Sequence, residues 1–281
     1  MISIPDQGFV YPKTGLDVDL RFDSTPTYVS TGSCHFDGTN DYLNLDGLTW
    51  TTSSANFSIA GWFRSGDGTA SKRLFGAHSS SNSHRLNFYW TSTNSMRSYT
   101  YGTGAVDEVL TTAAPAFCDG TWHHFALTVA SGTSSSFYID GQLLKAYTSA
   151  NIDMSGCDSF YVGSEHDGTN GLAASVCHFG VWHDTLSQGE VRALMTASTY
   201  AEAITKGGST PRAYYLLEAD ADDSVDTQDG TLTNGAVIVG DRARLPSGLD
   251  LTANQMNAQV FSGRAWGTDG AGDYLSLGSP S

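Results

Sequence analysis

The chain has 281 residues, with 29 acidic side chains against 14 basic ones and a formal net charge of −15. Such a surface repels phosphate backbones and anionic bilayers, so neither nucleic acid nor a membrane is expected as a partner. Hydrophobic residues make up 40% and aromatics 11%, enough for a sizeable core, while 31 Gly and abundant Ser and Thr favour turns and strands over helices.

The opening Met1-Ile-Ser-Ile-Pro-Asp6 has neither the basic start nor the apolar run of a secretion signal, and no stretch is long and apolar enough to span a bilayer. A virion or extracellular location reached without a classical signal is the expectation. Residues 1–15 carry Pro5, Gly8, Pro12 and Gly15 and read as an arm. Short apolar runs that alternate with polar residues then predict strands at 17–22, 33–36, 42–45, 57–64, 73–77 and 85–89. Further strands are predicted at 96–101, 123–129, 136–139, 142–147, 159–162 and 174–182, with Asp107 and Glu108 on a loop. Asp140-Gly141 between two apolar runs marks a tight hairpin.

One helix is predicted. Ser187-Gln-Gly-Glu190 is a capping box, and Val191, Leu194, Met195 and Ala197 follow at helical spacing to an end near Thr199. Residues 206–211 read as a linker. Beyond it, Asp273-Tyr-Leu-Ser-Leu277 echoes Asp41-Tyr-Leu-Asn-Leu45, so the tail looks like the opening of a second copy. A fragment of that size exposes a face and an edge when alone. It is expected to extend the first sheet or to pair with a neighbouring subunit, which implies a homo-oligomer. The organisation is therefore an arm (1–15), a β domain (16–205) and a C-terminal half-repeat (206–281). Cys34, Cys118, Cys157 and Cys177 have no metal-type spacing; buried free thiols and two cross-strand disulfides both fit.

Five motifs in order carry a family resemblance: Phe36-Asp-Gly-Thr-Asn-Asp-Tyr42, Phe57-Ser-Ile-Ala-Gly-Trp-Phe63, Trp122-His-His-Phe-Ala-Leu-Thr128, Tyr138-Ile-Asp-Gly141, and Phe179-Gly-Val-Trp-His-Asp-Thr-Leu-Ser-Gln-Gly-Glu190. Together they resemble the laminin-G-like and pentraxin branch of the concanavalin A-like jelly rolls. Tyr214-Tyr-Leu-Leu-Glu218 and Asp229-Gly-Thr-Leu-Thr-Asn-Gly-Ala236 resemble the way such domains begin. The resemblance implies an all-β jelly-roll sandwich of two sheets with loops at its rims, here with one short helix and a C-terminal partial repeat. Some members bind glycans or proteins at the rim through calcium. Gly163-Ser-Glu-His-Asp167 is similar to a pentraxin Gly-x-Glu-x-Asp ligand stretch. The resemblance thus implies Ca²⁺ held by Glu165, Asp167 and the carbonyl of His166, oxygen donors of the kind that ion takes. Asn82 matches a second ligand stretch, with Ser81 in place of its acid.

Catalytic chemistry is poorly represented. Glycosidases of this fold class alternate carboxylates along one strand, and no Glu-x-Asp-x-Glu occurs. Asp17-Val-Asp19 places two acids on one strand face, without a third. His123-His124 and the His178/His183 pair fall on opposite strand faces, which does not make a metal site. Trp62, Trp122 and Trp182 read as core. Trp50, Trp90 and Trp266 lie at strand ends or loops, and Trp90, Tyr99 and Tyr101 with Asn170 are candidate carbohydrate-binding residues, the rings stacking on a sugar face and the amide meeting its hydroxyls. The functional expectation is a non-enzymatic virion adhesion or structural protein, of a bacteriophage, that binds a glycan or host surface and contacts other virion subunits. A soluble calcium-dependent lectin and a degenerate glycoside hydrolase are the alternatives.

Overall fold

The structure, a computed structural model, describes residues 28–48, 56–69, 71–80, 84–91, 96–101, 105–111, 117–130, 132–148, 154, 156–165 and 167–245. The expected strand at 17–22, the echo at 273–277, Trp50, Trp266, Asn82 and His166 lie outside these residues.

Two antiparallel sheets stack as a sandwich. The first has the order β10-β9-β8-β3-β12-β1-β15, formed by Gln142–Tyr147, Ser134–Ile139, Trp122–Ala130, Phe57–Arg64, Ala173–Trp182, Ser33–Asp37 and Val237–Val239, with β13 (Ala213–Tyr215) also paired to β12. The second has the order β14-β2-β11-β4-β5-β6-β7, formed by Thr231–Thr233, Tyr42–Asn44, Ser159–Val162, Arg73–His78, Arg85–Trp90, Met96–Tyr101 and Ala105–Thr111. Asp107 and Glu108 therefore lie on strand β7, not on the expected loop.

Phenylalanine rings from both sheets join the layers. Phe125 of β8 stacks on Phe75 of β4 with centroids 5.9 Å apart, Phe137 of β9 meets Phe88 of β5 at 4.8 Å, and Phe179 of β12 meets Phe160 of β11 at 5.8 Å. The hairpin at Asp140-Gly141 forms as the sequence predicts, with both residues at positive φ.

The eight-stranded sheet is covered on its outer face too, and that sets its composition. Helices α1 (Gln188–Leu194) and α2 (Tyr200–Lys206) belong to a second apolar cluster with Ala60, Ala126, Tyr138, Trp182 and Tyr214. Strands β3 and β12 are consequently buried almost throughout and do not alternate. The single helix expected to end near Thr199 is instead two. Thr199 leaves the helical region at φ −144° and its hydroxyl accepts from the Glu202 amide at 3.2 Å, starting α2.

Residues 213–245 are built into the same sandwich. β13 pairs with β12, β14 with β2 and β15 with β1, and Ala213, Tyr214, Tyr215 and Leu217 are buried. The stretch expected as a linker is the connection 207–212 between α2 and β13, shifted by one residue because Lys206 ends the helix. All four cysteines are buried and free, which settles the thiol alternative over the disulfides.

Candidate functional site

Backbone pleating puts alternate residues of the seven-stranded sheet on opposite faces, and the register shows which side chains share one. Leu43, Val162, Phe75, Phe88 and Ser98 are successive cross-strand partners and face the core. The neighbouring row, Asn44, Tyr161, Gly76, Asn87 and Tyr99, takes the opposite face. Two flanking rows share it: Arg73, Tyr89 and Arg97 on one side, and Ser159, His78 and Arg85 on the other. One sheet face thus gathers three tyrosines, three arginines, two asparagines and a histidine.

Several of these groups are fixed. The Arg73 guanidinium lies 4.2 Å from the centroid of the Tyr89 ring and 3.3 Å from the Glu165 carboxylate. Asn170, held at φ +55°, donates to the same Glu165 oxygen at 2.6 Å. The buried His78 Nε2 is 3.0 Å from Asn87 Oδ1. Gly76 makes room for that pair, since a Cβ there would fall 2.7 Å from Asn87 Oδ1. Tyr161 stacks on Tyr42 at 4.3 Å, and burial together with the nearby Asp46 carboxylate pushes its phenol up to about 12. Planar rings, guanidinium forks and amides on one pleated surface can cover the apolar face of a sugar and bond its hydroxyls.

The expected site residues divide. Tyr99 and Asn170 lie on this face or at its margin, and Tyr101 occupies the β6 position opposite Arg85. Trp90 does not. It is 1% exposed and packs edge-on against Phe63 and Phe88, so the expectation of a rim aromatic is corrected to a core residue. The alternation itself gives the reason, because Leu86, Phe88 and Trp90 point the same way and Arg85, Asn87 and Tyr89 the other. The same period in the sequence assigns Arg85, Asn87 and Arg97 to the outer face.

Of the donors implied for calcium, the two described ones have partners of their own. Glu165 is held by a guanidinium and an amide, and Asp167 accepts from both the amide and the hydroxyl of Thr169 at 3.0 and 2.6 Å. Among the described residues no three His, Cys, Asp or Glu come together to hold a metal ion. Three histidines have structural partners or surroundings instead. His123 sits 2.8 Å from Asp140 and 3.3 Å from Asp119, His178 touches Tyr214 and Glu218, and His124 is buried beside Trp62.

Comparison with known proteins places the fold. The laminin G-type model described as "Concanavalin A-like lectin/glucanases superfamily" matches residues 37–192, and the chain belongs to that superfamily. A heptameric SAP-like pentraxin from Limulus polyphemus is 13% identical, with a TM-score of 0.50 over 75% of this chain and 95% of its own. Domains LG4-5 of the mouse laminin alpha1 chain are 13% identical, with a TM-score of 0.43 over 63% of this chain and 48% of theirs. Domain 4 of an extracellular arabinanase from Geobacillus stearothermophilus, solved with arabinotriose, is 17% identical, with a TM-score of 0.46 over 59% of this chain and 79% of its own. No curated protein sequence matches the chain. No helix among the described residues is long and apolar enough to cross a membrane.

Proposed function

We propose that the chain is a non-enzymatic carbohydrate-binding protein whose ligand lies across the outer face of the seven-stranded sheet. The observation that carries this is the register itself, which lines up Tyr161, Asn87 and Tyr99 beside Arg73, Tyr89 and Arg97. Membership of a superfamily of lectins and glucanases supports a glycan as ligand. Binding on this face does not call on calcium, because Arg73 already holds Glu165. A glycan array run with and without EDTA tests both parts, and Tyr99→Ala is expected to weaken any hit about tenfold or more with chelation making no difference. An array without a hit, or hits indifferent to Tyr99 and Tyr89, removes the reading.

The narrower proposal is a virion attachment or decoration subunit, which adds assembly to recognition. Its support is that the described sheets end in the edge strands β10, β15, β14 and β7, whose backbone groups can pair with another chain. Light scattering on the full chain tests it, and a monomer at high concentration counts against it.

A further inference from the structure

A second concave surface lies away from the tyrosine-rich face, against the other sheet. Where β3 ends, β8 begins and the chain leaves β15, a groove of about 360 Å³ is lined by Tyr28, Arg64, Trp122, Asp241, Arg242 and Arg244 among others. Three of the 14 basic residues in a chain of net charge −15 converge here. Against them the lining offers one carboxylate, Asp241, leaving a formal balance of +2 from three arginines and one aspartate.

Each cation has a distinct setting. Arg64 is committed: it pairs with Asp241 at 2.6 Å and lies 5.9 Å from the Trp122 ring centroid. Arg242 lies 4.0 Å over the Tyr28 ring, a contact that orients a guanidinium without neutralising it. Arg244 is exposed and stands two residues on, across an antiparallel bridge from Tyr28. Arg242 and Arg244 are both exposed on either side of the buried Ala243, which sets them on the solvent side. Asp119, which accepts from the amide and hydroxyl of Thr121 at 2.7 Å and holds His123, is not part of the lining. The floor is apolar: Trp122 is 7% exposed and belongs to the core. Tyr28, 44% exposed, adds an aromatic wall.

We propose that this groove binds a carboxylated sugar, its carboxylate between Arg242 and Arg244 and its ring beside Tyr28. Arginine forks match a carboxylate in shape and charge. An extended polyphosphate is disfavoured because its flanking charges would run onto an acidic surface, whereas one carboxylate needs only this local patch. The groove and the tyrosine-rich face are separate sites, and neither proposal depends on the other.

Calorimetric titration of the full chain with galacturonate and with 3′-sialyllactose tests the assignment, with the methyl ester of galacturonate and lactose as neutral counterparts. Either carboxylated ligand is expected to bind, its neutral counterpart at least about tenfold more weakly. Raising NaCl from about 0.05 to 0.5 M weakens the interaction. Arg242→Gln with Arg244→Gln is expected to raise the Kd about tenfold or more, with an unchanged circular dichroism spectrum because both side chains are exposed. The identity of the better carboxylated ligand tells a uronate source from a sialate one. No binding of either acid, equal binding of acid and neutral counterpart, or a Kd that ignores both substitutions overturns the proposal.

Discussion

Trp90 and Tyr99 lie on adjacent, paired strands of one sheet and meet opposite fates. Trp90 fills space against Phe63 and Phe88, so Trp90→Ala removes core contacts and is expected to cost about 3–5 kcal/mol in urea unfolding. Tyr99 takes the outer face, where truncation is expected to cost under about 1 kcal/mol and to act on ligand binding instead. The adjacent histidines His123 and His124 provide a second contrast, in pH. Burial, and then the charge of His178, pulls the His124 imidazole down to about 3. In the unfolded chain it takes up a proton below about 6.5 that the folded protein refuses, so this residue makes stability fall as pH drops from about 6.5 towards 3. Burial alone would also lower His123, but hydrogen bonds and charge from Asp140 and Asp119 outweigh it and raise its pKa. Its contribution is therefore complete below about 6.5 and is lost as pH rises through the folded value. Denaturant midpoints across pH should show His124→Leu flattening the acid limb relative to wild type, and His123→Gln flattening the decline on the neutral side.

At the scale of elements, the helical region is governed by two caps. Ser187 accepts from Glu190 and is repaid by the Glu190 carboxylate on its own amide, while Thr199 accepts from Glu202. Thr199→Ala is expected to cost about 1 kcal/mol, read as a lower urea midpoint with an unchanged slope. Strand β12 carries a tighter restriction. Its register shifts between Cys177 and Gly180, and a Cβ on Gly180 would fall 2.5 Å from the Trp182 ring and 2.7 Å from Tyr214. Gly180→Ala is expected to destabilise by about 1–3 kcal/mol through overpacking. The second capping signal, Thr199-x-x-Glu202, stands in the sequence as openly as the first. The apolar spacing, however, runs on through Met195 and Ala197 without a break, which masks the end of the first helix.

For the whole molecule, the segment after α2 holds the sandwich closed at three places, through β13, β14 and β15. A chain ending at Lys206 would uncover edges of β12, β2 and β1 and lose the buried Tyr214, Tyr215 and Leu217. Each such side chain contributes roughly 1.5–3 kcal/mol, so the truncated chain is expected to lose its cooperative melting transition. The cysteines report on the same closure. Burial, with Asp41 beside Cys34 and Asp67 beside Cys118, pushes both thiols up to about 12, and burial raises Cys177 as well. Thiol titration with a disulfide reagent should be slow in the folded state and count four thiols in denaturant.

What the sequence determined by itself was the β sandwich, most of its strands, the Asp140-Gly141 hairpin and the first helix cap. These follow from short-range rules: a period of two, turn residues that accept positive φ, and a hydroxyl placed to reach an amide. Only the tertiary structure decided that β3 and β12 are buried on both faces, that 213–245 completes the same two sheets, and that Glu165 is spoken for by Arg73 and Asn170. Those outcomes depend on register between strands far apart in the chain, and no local pattern carries it. The arginine groove is the clearest case, since Tyr28, Arg64, Trp122 and Arg244 become neighbours only once the distant strands of the eight-stranded sheet have paired.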